Sequence, residues 1–317
     1  MIGALVAASG SKANSTMNHT RLLIFCTLAA GLVSQACQNP QPGPADPGQP
    51  GAREVRFRVK SLSEDLPDNA ARITLFNYDN QNRLSSLLAY QTPDSLQANV
   101  ERSTYQYDGQ NRLIRQQRQL IVRPNTVFFT APLVEAHQFA YNTTNQVSEI
   151  QFLSYYKPVA PGIYSVDPAV LNSPTTLTQL AMLHYDQRGQ LVSLNKQNYF
   201  QGSPGLVATT NTYGYTDQNL TSASMVTQVS GTQLSNISST IAYDNQRNPF
   251  YGSYVIGRYF GGISDFFQNL STLSPHNITK LDGVSYRYEY NAAGLPTVRY
   301  TYSDKLVQTL RFTYEAY

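Results

Sequence analysis

The chain has no tryptophan, two cysteines, six lysines and a charged fraction of 14% over 317 residues. Each shortage excludes something. Two cysteines cannot build a disulfide-dense scaffold or a four-cysteine zinc site. A formal net charge of +3 with so few lysines exerts little pull on a phosphate backbone, which argues against a nucleic-acid partner. The usual tryptophan platform for sugar rings is missing. What is present can fold. Hydrophobic residues make up 41%, and 23 tyrosines and 13 phenylalanines supply the aromatic content. The length allows one large domain or two ordinary ones.

The first 53 residues read as an address and a tether, and residues 54–317 as a repeat β domain. After Arg21 comes an apolar run from Leu22 to Val33, too short to span a bilayer and suited to a signal peptide. Ser34-Gln35-Ala36-Cys37 follows, with small residues three and one places before a cysteine. Residues 1–36 are therefore expected to be a signal peptide, with 1–16 an extension from an upstream start. Cleavage before Cys37 exposes it for lipidation and an anchor in the outer membrane. The alternative is ordinary cleavage at the same bond, leaving a secreted protein with one free thiol. Either way Cys26 is removed, and Lys+Arg falls from 23 to 21 against 20 Asp+Glu, so the basic balance disappears. Residues 37–53 then form a Pro/Gly-rich tether. Five prolines and three glycines among the fourteen residues Gln38–Gly51 prevent regular packing, and partly extended geometry reaches on the order of 40 Å.

Seven stretches of the remaining chain align: Tyr78–Leu84, Tyr107–Leu113, Tyr141–Val147, Tyr185–Leu191, Tyr215–Leu220, Tyr243–Pro249 and Tyr290–Pro296. Their chemistry is turn chemistry. In second place, Asp79, Asp108, Asp186, Asp244, Asn142 or Asn291 can accept a backbone N–H two residues on and start a type I turn. In fifth place, Asn82, Asn111, Asn145, Gly189 and Gly294 tolerate the positive φ of a bulged hairpin. Arg247 breaks this rule, so the sixth turn should differ. Flanks such as Tyr286-Arg287-Tyr288-Glu289-Tyr290 alternate with period two.

The Tyr-Asp-x-x-Asn/Gly-Arg-Leu heart resembles the YD repeat of Rhs-type proteins. Together with Leu32–Cys37, which resembles a bacterial lipobox, and the segment from Tyr243 to Pro296, it is similar to uncharacterised Bacteroidota lipoproteins. That resemblance implies hairpin repeats in a porin-like curved antiparallel sheet from about Glu54 to Tyr317, and no catalytic residues. The fold expected is all-β: a large antiparallel meander of about sixteen strands, forming a curved shell or barrel, with one short helix near 263–273. Laid flat, sixteen strands would span about 80 Å, and sheets of that size curl or close. The polar row Arg311, Thr313, Glu315 and Tyr317 argues against a lipid-facing barrel wall.

No catalytic motif, cofactor fingerprint or metal-ligand spacing is found. His137, His184 and His276 stand apart from one another, and HExxH, P-loop and nucleophile-elbow patterns are absent. The turn aspartates Asp79, Asp108, Asp186 and Asp244 form a carboxylate set that a calcium rim would need, but their shared place in a turn explains them without one. Rows such as Tyr105 with Tyr107 and Tyr286 with Tyr288 and Tyr290 could hold a ligand on a concave face or simply pair across strands. Two functions remain. One is a lipid-anchored, non-catalytic binding or structural module of the cell envelope, with a glycan, a lipid or an envelope protein as ligand. The other is a polysaccharide hydrolase or lyase with an unrecognised carboxylate pair.

Overall fold

The structure is a computed structural model, and it describes residues 56–93, 100–121, 134–155, 177–200, 202–253 and 270–317. Cys37, the expected signal peptide, the tether and positions 263–269 of the expected helix lie outside the described residues. Sixteen strands follow in order: β1 (Phe57–Asp65), β2 (Ala71–Tyr78), β3 (Leu84–Thr92), β4 (Val100–Tyr107), β5 (Leu113–Ile121), β6 (Val134–Tyr141), β7 (Val147–Tyr155), β8 (Leu177–Tyr185), β9 (Leu191–Phe200), β10 (Ser203–Thr216), β11 (Asn219–Val229), β12 (Thr232–Arg247), β13 (His276–Leu281), β14 (Val284–Tyr290), β15 (Pro296–Ser303) and β16 (Lys305–Ala316).

Every strand pairs antiparallel with the next, and β16 returns to β1, so the meander is a closed barrel. Of the two expected shapes, closure prevails because β1 and β16 match along their length, from Phe57↔Ala316 to Glu64↔Leu310. Arg58 Nε seals this seam on Glu315 at 2.7 Å, and the Ser61 and Thr313 hydroxyls meet at 2.7 Å.

The motifs form hairpin turns at one end of the barrel. In the first, Asp79 Oδ1 accepts the N–H groups of both Gln81 and Arg83 at 2.9 Å, while Asn82 adopts φ 64°. Asp108, Asn142, Asp186 and Asn291 repeat both bonds. Asn111, Asn145, Gly189 and Gly294 all take positive φ. Neighbouring hairpins are stitched together. Tyr107 Oη donates to the Leu84 carbonyl at 2.9 Å, Tyr141 to Leu113 at 2.8 Å, Tyr185 to Val147 at 2.8 Å and Tyr215 to Leu191 at 3.0 Å. Each acceptor is the first residue of the preceding hairpin's return strand. The motif arginines reach forward as well. Arg83 lies over the Tyr107 ring and donates to Asn111 Oδ1 at 2.8 Å, and Arg112 treats Tyr141 and Asn145 in the same way.

One expectation needs correction. Asp244 does not open a turn, because β12 runs through Tyr243 and Asp244 to Arg247. The fifth place here is Arg247, which cannot adopt positive φ as cheaply as Asn or Gly. Asp244 Oδ1 still accepts Gln246 N–H at 2.9 Å, but it also takes Asn277 N–H from β13 at 3.2 Å, and Oδ2 receives the Tyr290 phenol. Within the expected helix, the described residues Leu270–Leu273 form a single 3-10 turn.

The described parts of the insertion between β12 and β13, 248–253 and 270–275, pack at the motif end. Phe250 is buried against Val59, Leu62, Phe76, Leu310 and Phe312, from β1, β2 and β16. Leu270 and Leu273 pack on a larger cluster that includes Ile150, Leu183, Leu194, Leu220 and Ile241. Asn248 Nδ2 ties the two halves of the insertion by donating to the Ser274 carbonyl at 2.8 Å. Apolar side chains therefore line the motif end of the barrel in two clusters.

Burial works against the charge on Asp79 and Asp108, but the backbone and guanidinium donors of Arg83 and Arg112 outweigh it and hold both carboxyls below their ordinary value. Such groups contribute stability that is fully present above the unfolded pKa of about 4, and this is lost as pH falls through the lowered folded value. Asp79→Asn combined with Asp108→Asn should flatten the acid limb of a plot of thermal midpoint against pH. An unchanged limb would refute this account of the turns.

Candidate functional site

Residues paired in register share a face, so tracing the ladders sorts the barrel into an inner and an outer row. On β4, Glu101, Ser103 and Tyr105 are buried, while Arg102, Thr104 and Gln106 are exposed. Register carries the inner row from Ser103 to Arg118 on β5 and Glu135 on β6. A neighbouring row runs from Tyr105 through Gln116, His137, Phe152 and Gln179 to Asn198.

The inner surface is stratified. On β1, Val59 and Leu62 lie toward the motif turns, and Glu64 lies farther in. On β16, Phe312 and Leu310 give way to Gln308, and on β6, Phe139 gives way to His137 and Glu135. The half of the lumen away from the motif turns is thus polar. It holds ionic groups on two sides. Arg118, 2% exposed, grips Glu101 with two nitrogens at 2.7 Å and approaches Glu135 at 3.3 Å. On the seam side, Glu64 accepts from Arg72 at 2.7 Å and from Gln308 at 2.9 Å, and Gln308 accepts from Arg299 at 2.8 Å. Gln116 bonds His137, whose ring packs edge-on to Phe152.

This surface offers amide, hydroxyl and guanidinium groups to a hydrogen-bonding ligand. Its carboxylates already have cation partners: Glu101 and Glu135 share Arg118, and Glu64 faces Arg72. A ligand here would meet fixed dipoles and compensated charges.

The residues singled out by sequence lie elsewhere. Tyr78, Tyr107, Tyr141, Tyr185 and the turn residues after them form the motif rim, occupied by their own turn and stitch bonds. Cys37 lies outside the described residues. Tyr105 and Tyr288 do face inward. Burial, aided by the charge of Glu101, pushes the Tyr105 phenol well above its ordinary value. Tyr288 donates to the Ile278 carbonyl at 2.8 Å, and Arg299 lies over the Tyr286 ring at 5.5 Å. His137, His184 and His276 are not brought together. His184 is on the outer face near Asn195, and His276 pairs with Asn219. Among the described residues, no three His, Cys, Asp or Glu side chains are gathered to hold a metal ion. The Arg118 and Glu64 groups were missed because β4 and β5 carry polar residues in both alternating rows. Only the register says which row faces in.

Removing the guanidinium leaves two carboxylates in a buried site, which costs about 3–5 kcal/mol. Arg118→Ala should lower the urea midpoint accordingly, and adding Glu101→Gln should restore part of the loss. Equal midpoints for Arg118→Ala and the parent would show that the cluster is not buried as described.

No family model and no curated protein matches the chain. Among solved structures it is similar to a porin-like protein from Bacteroides uniformis ATCC 8492, at 12% identity and a TM-score of 0.47, covering 81% of this chain and 98% of that one. A porin-like protein from Bacteroides vulgatus ATCC 8482 is similar at 12% identity and a TM-score of 0.46, covering 82% and 99%. The Photorhabdus luminescens Tc holotoxin pore, mutation TccC3-D651A, is similar at 12% identity and a TM-score of 0.17, covering 74% of this chain and 14% of that one.

Proposed function

We propose that the chain is a non-catalytic binding or structural module of the cell envelope, anchored by lipid on Cys37, with its barrel in water. The observation that carries this is the polar outer row at the seam, on β4 and β5 and on β14, although register also turns Ile73, Leu75, Leu88 and Tyr90 of β2 and β3 and Val134, Leu153 and Leu180 of β6–β8 outward. Outward positions include Arg58, Ser61, Arg311, Thr313 and Glu315 at the seam and Arg102, Thr104, Arg115 and Gln117 on β4 and β5. Arg287 and Glu289 point outward on β14, and Thr210, Thr212 and Ser224 on β10 and β11. A lipid-facing barrel needs an apolar band about 25 Å tall at those positions. A water-exposed barrel in the envelope needs a separate attachment, and Ser34-Gln35-Ala36-Cys37 offers one.

The polar half of the lumen suits a ligand rich in hydroxyls better than an acyl chain, so a glycan is the favoured ligand. A lipid or an envelope protein is the next choice. Compensation of the lumen carboxylates by arginine disfavours the hydrolase or lyase reading, which needs one carboxyl free as acid and another as base or nucleophile.

Replacing Cys37 by Ser in the full chain should move it from the membrane fraction to the soluble fraction and abolish an acyl increment in intact mass. A wild-type chain without that increment would refute the anchor. A glycan array and organic-solvent extraction of the purified protein address the ligand. Glycan binding with no extracted lipid is expected, extracted lipid would reverse the preference, and glycan turnover would overturn the non-catalytic reading.

A further inference from the structure

We infer that the seam side of the polar lumen, centred on Tyr286, is the subsite that takes a neutral pyranose ring. The inference rests on the glycan reading above and names where and how such a ligand is held. Register draws one inner belt across five strands. Tyr286 of β14 stands opposite Thr301 of β15, and Thr301 stands opposite Gln308 of β16. Gln308 Nε2 donates to Glu64 of β1 at 2.9 Å, and Glu64 holds Arg72 of β2 at 2.7 Å.

Tyr286 differs from other tyrosines of the wall. Tyr288 donates to the Ile278 carbonyl and Tyr314 to the Pro296 carbonyl, but no described residue accepts a hydrogen bond from the Tyr286 hydroxyl. Nor is that hydroxyl among the buried polar atoms without a partner, so it is open to the lumen. The residue as a whole is half-buried. Arg299 lies 5.5 Å from the ring centroid and stands opposite Tyr288, one step nearer the motif turns. It therefore covers one face of the ring and leaves the other, turned away from the motif end, for a ligand. A pyranose has an apolar face and a girdle of hydroxyls. An aromatic ring beside fixed amide, hydroxyl and carboxylate groups matches both.

Accessibility separates this belt from the Arg118 group on β4–β6. Arg118 and Gln116 are 2% and 3% exposed there, and the Glu101 side chain 10%, which leaves Glu135 as the accessible edge of that group. On the seam side the Arg72 and Glu64 side chains keep 33% and 16% exposure. Their charges cancel, so this accessible pair has no net charge to draw a uronate or a sulfated sugar. The Arg118 group is a structural clamp, and the seam belt is what a ligand meets.

The test titrates the full chain in detergent against an array of neutral hexose oligosaccharides and their uronate-bearing counterparts. Neutral oligosaccharides are expected to bind. Tyr286→Phe should weaken that binding about three- to tenfold, the worth of one hydrogen bond. Its thermal midpoint should not move, because the hydroxyl bonds no described residue, whereas Tyr288→Phe should lower the midpoint. Gln308→Ala should weaken binding by a similar factor, and Arg287→Ala, on the same strand as Tyr286 but on the outer face, should not. Should Gln308→Ala fail to fold, Tyr286→Phe alone decides. Glycan binding that these seam variants leave intact overturns the subsite while the glycan reading stands. A preference for uronates overturns the neutral class. Binding to no glycan at all removes the glycan reading, and the subsite with it.

Discussion

The bond on which the architecture depends joins a tyrosine hydroxyl to a backbone carbonyl one hairpin away. Tyr107, Tyr141, Tyr185 and Tyr215 each donate to the residue at which the preceding hairpin starts its return strand. A half-buried phenol must find an acceptor or lose about 1–3 kcal/mol. Only one stagger between hairpins supplies that acceptor. The relative stagger of strands sets the tilt and width at which a sheet can close. The same local bond, repeated, therefore determines a global dimension. Tyr78 on Val59 and Tyr314 on Pro296 extend it to both sides of the seam, so closure uses the same joint.

The sixth motif shows what the rule permits. With its turn lost at Arg247, the chain continues as strand and then leaves the sheet for the insertion that carries Phe250, Leu270 and Leu273 inside. The tyrosine slot is adapted: Tyr243 lies buried beside Ser274, whose Oγ takes the Leu220 N–H at 2.8 Å. One relaxed repeat thus supplies apolar side chains to both clusters at the motif end while its neighbours keep their register.

What could be read from sequence was local. Asp79 with Asn82 and Asp186 with Gly189 announce their turns because the turn is made of those residues. The number of strands and their antiparallel order followed from counting turns. Even the polar outer row of β16 was visible at Arg311, Thr313 and Glu315, where an apolar row alternates with them. The choice of inner face on β4 and β5 was not visible, since Glu101 and Arg102 are equally polar and only pairing with distant strands separates them. Phe250 was equally opaque: its burial depends on β1 and β16, far away in sequence. The forward reach of Arg83 to Tyr107 and Asn111 could have been suspected from the recurrence of arginine in sixth place, but turn chemistry does not require it.

The seam between β1 and β16 has a kinetic consequence. Fifteen of the pairings join neighbours in sequence and can zip up locally, whereas Arg58 must find Glu315 across 257 positions. Contacts of such separation form slowly, because a long loop must close before any bond rewards it. Until the last strand arrives, the chain is an open sheet with two raw edges. The ion pair, the hydroxyl contact and the tyrosine joints gathered at the seam work as a latch that ends this vulnerable interval.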